Sequence, residues 1–334
     1  MKGKVFVTGG AGFIGSHIIE ALLNEGYEVT IYDNFSSGRK ENLNNVIDDI
    51  RIIEGDILDY EKVKNAMKGH DYVSHQAAQL EIFRCLEDPS IDLKINTIGT
   101  LNVLKASVEN RIKKIINASS ACVYGQAQYV PQDESHPTNP NWPYGVSKLA
   151  AEKYCQIFQE NFGLKIISLR YSIVYGEREW LGRVLTMFLK RVMEDKDLVI
   201  FGEGDQLRDF IYVKDAVKLH NLCLESNKDL NANVYNVSTG IETSIKELAH
   251  IVNEVASKST GIIFEDVNEG KFSQYMPNRK RIPTELKKMV LDNERAKRNF
   301  NWQPLVNLKK GIKKELSWIT ENPSYWERTR VIKV

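Results

Sequence analysis

Tyr144 and Lys148 lie four residues apart, in the stretch Trp-Pro-Tyr-Gly-Val-Ser-Lys that ends at residue 148. On a helix this spacing places both side chains on one face, where an ammonium lowers the pKa of a neighbouring phenol. A tyrosine tuned in this way can act as a general acid and base near neutral pH. Because an isolated pair of this kind is more often a half-buried aromatic beside a solvated lysine, its chemistry depends on what surrounds it.

A glycine-rich segment, residues 8–17, directly follows the first predicted strand and leads into a predicted helix. Glycines at such a turn let the backbone approach a pyrophosphate at the helix N-terminus, where free amides and the helix dipole favour negative charge. Asp33 ends the next predicted strand, where a carboxylate accepts from a ribose 2′-hydroxyl and repels a 2′-phosphate. The sequence therefore predicts an NAD site, with Arg39 as a cation that could soften the preference for NAD over NADP.

Short β-branched runs alternate with amphipathic stretches through the first two-thirds of the chain, which is typical of a parallel sheet covered by helices. The predicted strands are residues 4–8, 28–32, 51–54, 71–75, 114–118 and 165–170. The predicted helices are residues 13–24, 60–67, 91–109 and 144–161. This pattern predicts an α/β fold with a Rossmann-type doubly wound parallel sheet.

Beyond residue 171 the alternation loosens, and prolines, glycines and a basic run at 278–281 indicate a smaller, discontinuous α/β domain for the substrate. The first domain is predicted over residues 1–170, with residues 215–240 returning to it and a strand at 233–237. The second is predicted over residues 171–214 and 241–330. Within it, Ser244 and Glu247 have the spacing of a capping box that opens a helix.

The balance of charge gives no reason to expect a nucleic acid or a membrane surface as partner. Among 334 residues, Lys and Arg number 45 and Asp and Glu number 44, for a net charge of +1. The four cysteines show no C-x-x-C spacing, and no apolar run approaches the ~20 residues needed to span a bilayer. Without a secretory segment, the chain is expected to be cytoplasmic with reduced thiols, and no metal site is predicted.

Ser120 closes the fifth predicted strand, at the edge of the sheet where doubly wound folds bind their ligands. A hydroxyl there can bond a substrate oxygen while Tyr144 takes or gives its proton and Lys148 holds the phenolate and the nicotinamide ribose. Together these motifs, Asn96-Thr97-Ile98-Gly99-Thr100, Arg170-Tyr171 and Arg208-Asp209-Phe210 resemble the extended short-chain dehydrogenase/reductase family. Within that family the chain is similar to the NAD-dependent nucleotide-sugar epimerases and dehydratases, including those of the UDP-glucose 4-epimerase type, over nearly its full length.

The resemblance implies a bound NAD, a nucleotide-diphosphate sugar between the two domains, and a homodimer formed by the helices around 91–109 and 144–161. Its catalytic residues would be Ser120, Tyr144 and Lys148, with Cys122 as a possible addition. The cofactor-binding residues would be Gly9, Gly12, Phe13, Ile14, Gly15, Asp33, Asn34, Asp56, Ile57, Ala77, Ala78, Gln79, Asn96, Ser119, Tyr144 and Lys148. The substrate-binding residues would be Gln79, Glu81, Ser120, Tyr144, Arg208 and either Arg279 or Arg281.

The two residues after Ser120 bear on the reaction that the resemblance implies. The 4,6-dehydratases have Asp-Glu there and the decarboxylases have Glu at the second position, whereas this chain has Ala121-Cys122. The leading prediction is therefore a 4-epimerase of a UDP-hexose, which oxidises C4, rotates the 4-keto sugar and returns the hydride. The Ser-Ala-Cys sequence also resembles 3,5-epimerases, in which the cysteine acts as a base, and Ile173 keeps a CDP-sugar 2-epimerase open. A non-catalytic dinucleotide-binding regulator is the alternative from another class.

Overall fold

The computed structural model describes residues 2–228 and 234–327. The strands in this part are β1 (Lys4–Thr8), β2 (Glu28–Asp33), β3 (Ile50–Glu54), β4 (Tyr72–His75), β5 (Lys114–Ser120), β6 (Ile166–Tyr171), β7 (Ile173–Tyr175), β8 (Leu198–Phe201), β9 (Leu207–Arg208), β10 (Phe210–Tyr212), β11 (Val234–Val237), β12 (Thr243–Ser244), β13 (Ile262–Glu265) and β14 (Lys288–Met289).

The helices of the same part are α1 (Phe13–Asn24), α2 (Tyr60–Ala66), α3 (Ile82–Glu87), α4 (Pro89–Asp92), α5 (Thr100–Glu109), α6 (Pro143–Phe162), α7 (Val184–Met193), α8 (Val213–Glu225), α9 (Ile245–Ala256), α10 (Glu294–Phe300) and α11 (Leu308–Glu321). A π-helical segment, Leu93–Gly99, joins α4 to α5, and short 3₁₀ turns lie at Lys40–Leu43, Ala121–Val123 and Pro323–Tyr325. None of the helices described is long and apolar enough to cross a membrane.

Seven parallel strands form the central sheet, in the order β11-β6-β5-β4-β1-β2-β3. The chain order reverses between β1 and β4, which is the switch point where ligands bind in such sheets. Helices cover both faces, so β1 has an uninterrupted apolar run in which Val5, Phe6 and Val7 are fully buried. Burying each such side chain stabilises the fold by about 1.5–3 kcal/mol. The predicted Rossmann-type sheet is confirmed.

The predicted strands and three of the predicted helices are found with ends shifted by at most two residues. The helical pattern predicted over 91–109 is found as unbroken helical backbone, with the π-helical segment between α4 and α5 as the feature that was not predicted. Asn96 and Thr97 on that segment both bond Ser147 of α6, and such contacts leave no mark in a 3.6-residue hydrophobic period.

The remaining strands form three small sheets, β7 with β10, β8 with β13, and β9 between β12 and β14. The Ser244 and Glu247 capping box is confirmed at the start of α9. Strand β11 pairs with β6 in the central sheet, while Asn233, the first residue of the strand predicted there, lies outside the described residues. The division into two domains stays a prediction.

Candidate active site

The glycine-rich turn after β1 brings two backbone segments too close for side chains. Gly9 has a φ of +68°, and a Cβ on it would lie 2.5 Å from the backbone nitrogen of Ala77 after β4. A Cβ on Gly15 would lie 2.3 Å from the Gly9 carbonyl oxygen. Gly12 precedes α1 and has no side chain to cap the first helical amides, those of Phe13 and Ile14 among them. The turn therefore has the shape and polarity of a pyrophosphate cradle.

Asp33 faces this turn from the end of β2. Its carboxylate accepts from the amides of Ala11 at 3.0 Å and Phe35 at 2.8 Å. Burial raises the pKa of Asp33, and these two bonds oppose the rise. Arg39, the cation predicted to weaken NAD preference, instead stacks on the Tyr325 ring at 4.7 Å and donates to the Tyr325 carbonyl at 2.8 Å. The carboxylate thus keeps lone pairs for a ribose hydroxyl.

Two further predicted cofactor residues lie next to Asp33 along the sheet edge. The Asn34 amide donates to the Asp56 carboxylate at 2.9 Å, and the Tyr32 hydroxyl donates to the Asp56 carbonyl at 3.0 Å. Ile57 is buried against Gly99, where a Cβ would lie 2.4 Å from the Ile57 Cδ1. These contacts close the side of the crevice beyond β2 with one carboxylate and one apolar wall.

Asn96 fastens the loop after β4 to helix α6. Its side-chain oxygen accepts from the Gln79 amide at 2.8 Å, while its amide group donates to the Gln79 carbonyl at 2.9 Å and to the Ser147 hydroxyl at 3.0 Å. Ala77 and Ala78, on the same loop, are half-buried. The predicted cofactor residue Ser119 donates its hydroxyl to Glu152, so its side chain is already occupied.

Ser120, Cys122 and Tyr144 come together where β5 ends. The Ser120 hydroxyl accepts from the Cys122 amide at 3.2 Å and is hydrogen-bonded to the Tyr144 phenol. Tyr144 is the second residue of α6, and Lys148 follows one turn later. The Lys148 ammonium donates to the Ala118 carbonyl of β5 at 2.8 Å. The three residues predicted from spacing are therefore held at one strand end.

Burial dominates the electrostatics of this group. It raises the pKa of Tyr144 well above its usual range, and the Ser120 hydrogen bond and the Arg183 charge only partly oppose the rise. Burial also lowers the pKa of Lys148 to about 8, with Asp92 as the strongest opposing charge. The expected lowering of the phenol pKa by Lys148 is not found, because Lys148 is not among the main groups that act on Tyr144. The Cys122 thiol is likewise raised in pKa by burial.

The basic residues predicted to bind the diphosphate occupy two places. Arg208 on β9 and Arg281 share the Glu285 carboxylate, at 3.8 Å and 3.2 Å. Arg279 instead donates to the Gly182 carbonyl, and its charge faces Glu81, whose pKa is raised by burial. The charge of Arg208 also acts on the Cys122 thiol, so the pair of Arg208 and Arg281 lies on the same side as Cys122.

Sequence reasoning missed Arg183, whose charge acts on both Tyr144 and Cys122. It stacks on Trp180 at 4.3 Å and lies 3.6 Å from Glu179. Glu179 and Glu315 of α11 are buried close enough to repel each other, and none of their four carboxylate oxygens has a hydrogen-bond partner among the described residues. In the sequence, these residues are marked only by the neighbouring run Glu-Arg-Glu-Trp at 177–180, whose spacing matches no known motif.

The geometry defines an α/β enzyme that binds a dinucleotide at the switch point of a doubly wound sheet and places a tyrosine and a lysine beside it. Residues 5–238 match the model of the NAD dependent epimerase/dehydratase family. The chain belongs to this family, and its cofactor is NAD. The cradle at Gly9 and Gly15, with Asp33 at its end, fits that cofactor. Within the part of the chain that the structure describes, no group of side chains is arranged to hold a metal ion.

Relatives extend over the whole chain but differ in reaction. A protein of Methanocaldococcus jannaschii named "Putative UDP-glucose 4-epimerase" is 36% identical, covering 95% of this chain and 99% of its own. A UDP-N-acetyl-alpha-D-glucosaminuronate decarboxylase of Bacillus cytotoxicus is 32% identical, covering 96% and 99%. The crystal structure of UDP-glucose 4-epimerase from Thermotoga maritima with UDP-glucose superposes with a TM-score of 0.86 at 32% identity, covering 96% and 99%.

Proposed function

We propose that this chain is a 4-epimerase of a UDP-hexose of the glucose and galactose type. The observation that carries the proposal is the grouping of Ser120, Tyr144 and Lys148 at the end of β5, with Ala121-Cys122 where dehydratases and decarboxylases have carboxylates. Relatives that act on UDP-glucose support the choice of nucleotide and sugar. A cytoplasmic location stays a prediction.

Each residue has a distinct part in the proposed reaction. Bound NAD supplies a hydride acceptor that returns the hydride to the same carbon. Tyr144 removes the proton of the sugar C4 hydroxyl and later gives it back, while Ser120 donates a hydrogen bond to the same oxygen. Lys148 supplies positive charge that favours the phenolate. Arg208 and Arg281 bind the diphosphate, which displaces part of their interaction with Glu285.

The state of Cys122 favours a 4-epimerase over a 3,5-epimerase. A cysteine that acts as a base must be a thiolate, but burial raises the pKa of this thiol, and only the Ser120 hydrogen bond and the charges of Arg183 and Arg208 oppose the rise. A neutral, half-buried thiol behaves as a small apolar side chain. We therefore assign Cys122 a packing role beside Ser120, with 3,5- and 2-epimerisation as outcomes that the experiment distinguishes.

The proposal includes a homodimer, because α6 and the π-helical segment expose apolar side chains. Leu93, Ile98, Val146, Ile157 and Phe162 are each between 44% and 56% exposed. Isolated exposed apolar residues are ordinary, but a group of them on two neighbouring helical segments marks an interaction surface. A second copy presenting the same surface would bury both.

The test is to incubate the purified protein with UDP-glucose, UDP-galactose, their N-acetylated and uronate counterparts, and GDP- and CDP-sugars, and to identify products by NMR in deuterated water. We expect UDP-glucose and UDP-galactose to interconvert without deuterium entering the ring. Tyr144→Phe should lower kcat by about 100- to 10,000-fold while NAD binding is kept. Absence of any product, deuterium at C3 or C5, or inversion at C2 would each refute the 4-epimerase.

A further inference from the structure

Asp92, the last residue of α4, is a buried carboxylate that the proposed mechanism does not use. It is 1% exposed, and its Oδ2 has no hydrogen-bond partner in the described part of the chain. Its Oδ1 accepts only a long bond of 3.4 Å from Asn96. The neighbouring Cys85 thiol donates to the Ile82 carbonyl at 2.9 Å. A carboxylate buried with so few hydrogen bonds needs a compensating charge nearby.

The charge that faces Asp92 is Lys148, across the packing of α4 against α6. Burial raises the pKa of Asp92, and the Cys85 thiol and then the Lys148 charge oppose the rise. Burial lowers the pKa of Lys148, and Asp92 opposes this more strongly than any other group, although the two side chains lie beyond direct ion-pair distance. The other ionisable groups near Asp92 are the Cys85 thiol of α3 and the Tyr144 phenol, both kept neutral because burial raises the pKa of each. Among the residues that the structure describes, Lys148 is therefore the one cation that acts on Asp92 across this packing.

The other ionisable groups near Lys148 are either paired with another charge or neutral. Glu152 binds Arg170 through both oxygens, at 2.9 Å and 2.7 Å. Burial raises the pKa of the Cys155 thiol to about 12. His75 of β4 is buried, with its pKa lowered to about 3, so it adds no charge at neutral pH. Asp92 is left as the counter-charge of Lys148.

The position of Asp92 is tied to that of Lys148 by side-chain hydrogen bonds between the π-helical segment and α6. Asn96 contacts Asp92 on one side and donates to the hydroxyl of Ser147, the residue before Lys148, on the other. Thr97 adds a bond to the Ser147 carbonyl at 3.3 Å. The carboxylate is thus held in a fixed place relative to the lysine.

We propose that Asp92 is a positioning residue whose buried carboxylate keeps the Lys148 ammonium charged beside the NAD ribose and the Tyr144 phenol. The catalytic part of this inference rests on the proposed function, whereas the pairing itself does not. Without the carboxylate, burial would lower the pKa of Lys148 further from about 8, so that more of the lysine would be neutral at neutral pH.

The pairing is tested by the thermal midpoints of the wild type, Asp92→Asn, Lys148→Met and the double variant, each with saturating NAD. Asp92→Asn should lower the midpoint of the wild type and raise that of Lys148→Met, by about 2–4 °C each way. Equal shifts in both backgrounds would overturn the pairing, whether or not the protein turns over sugars. If the single variant Asp92→Asn does not fold but the double variant does, the pairing is supported. If both the single variant Asp92→Asn and the double variant fail to fold, the pairing is refuted.

The catalytic part is tested by the pH profile of kcat/KM. The charged lysine is the active form, so activity falls as pH rises through its pKa, and Asp92→Asn should move that fall to lower pH by about 1 unit. Asp88→Asn is the matched control, since Asp88 adjoins the same helix, is exposed, and asparagine also serves as an N-cap. Its profile should match the wild type. A wild-type profile for Asp92→Asn would overturn the positioning role.

Discussion

At Tyr144 two opposing effects decide how readily the phenol gives up its proton. Burial raises its pKa, whereas the Ser120 hydrogen bond and the Arg183 charge lower it, and burial wins in the protein alone. The positive nicotinamide and a charged Lys148 both act against burial. Proton removal at this residue therefore depends on the bound nicotinamide as well as on the charge state of Lys148.

Cys122 gives the prediction that belongs to the scale of single residues. Cys122→Ser should keep most of the 4-epimerase activity, because a neutral thiol that fills space can be replaced by a hydroxyl of similar size. Ser120→Ala is the contrasting variant and should lower kcat by about 100-fold through loss of the hydrogen bond to the reacting oxygen. Both are measured by NMR of the product sugars. Loss of activity in Cys122→Ser together with loss of solvent deuterium exchange would identify the cysteine as a base.

At the scale of secondary-structure elements, two buried carboxylates face each other where α11 packs near the loop after β7. Glu179 lies on the loop and Glu315 on the helix. Burial raises the pKa of Glu179 to about 7, and Glu315 is raised by burial and by the Glu179 charge. The folded protein therefore holds protons that the unfolded chain releases above about 4.5. The contribution of these groups to stability is present below that pH and is lost as pH rises through about 7.

Glu315→Gln removes one of the two like charges. We expect it to raise the thermal midpoint by about 2–4 °C at pH 8 and by less at pH 5, where the carboxyls are protonated in the folded protein. Glu321→Gln, at the exposed end of the same helix, should change the midpoint little at either pH. Equal effects of Glu315→Gln at pH 5 and pH 8, measured by calorimetry, would contradict the repulsion.

At the scale of the whole molecule, the proposed self-association surface is the group of exposed apolar side chains formed by Leu93 and Ile98 with Val146, Ile157 and Phe162 of α6. Ile157→Lys should weaken self-association by about 100-fold or more, because a two-fold interface places the new charge twice. Light scattering after size-exclusion chromatography measures the mass directly. Ile241→Lys changes an isoleucine that is 62% exposed outside this surface and should leave the mass unchanged. If the Ile157→Lys variant is still a dimer, the interface lies on another part of the surface.

The sheet was predictable because each strand contains a short run rich in β-branched and other apolar residues, and the glycine turn follows the first strand directly. Ser120, Tyr144 and Lys148 were predictable because spacing and strand ends place them. Asp92 and the pairing of Arg208 with Arg281 were not, because each depends on contacts between segments distant in sequence. The sequence pattern predicts the helix or strand to which a residue belongs. The residues that it contacts on other elements are determined by tertiary packing.

The π-helical segment Leu93–Gly99 has a consequence for changes in chain length. Its wider turn holds an additional residue, so deleting one residue here would restore an ordinary α-helix and rotate everything that follows about the helix axis. Asn96 could then no longer reach both Gln79 and Ser147, even with every side chain unaltered. A substitution at an exposed position such as Lys94 should therefore be tolerated, whereas a one-residue deletion in the same segment should not.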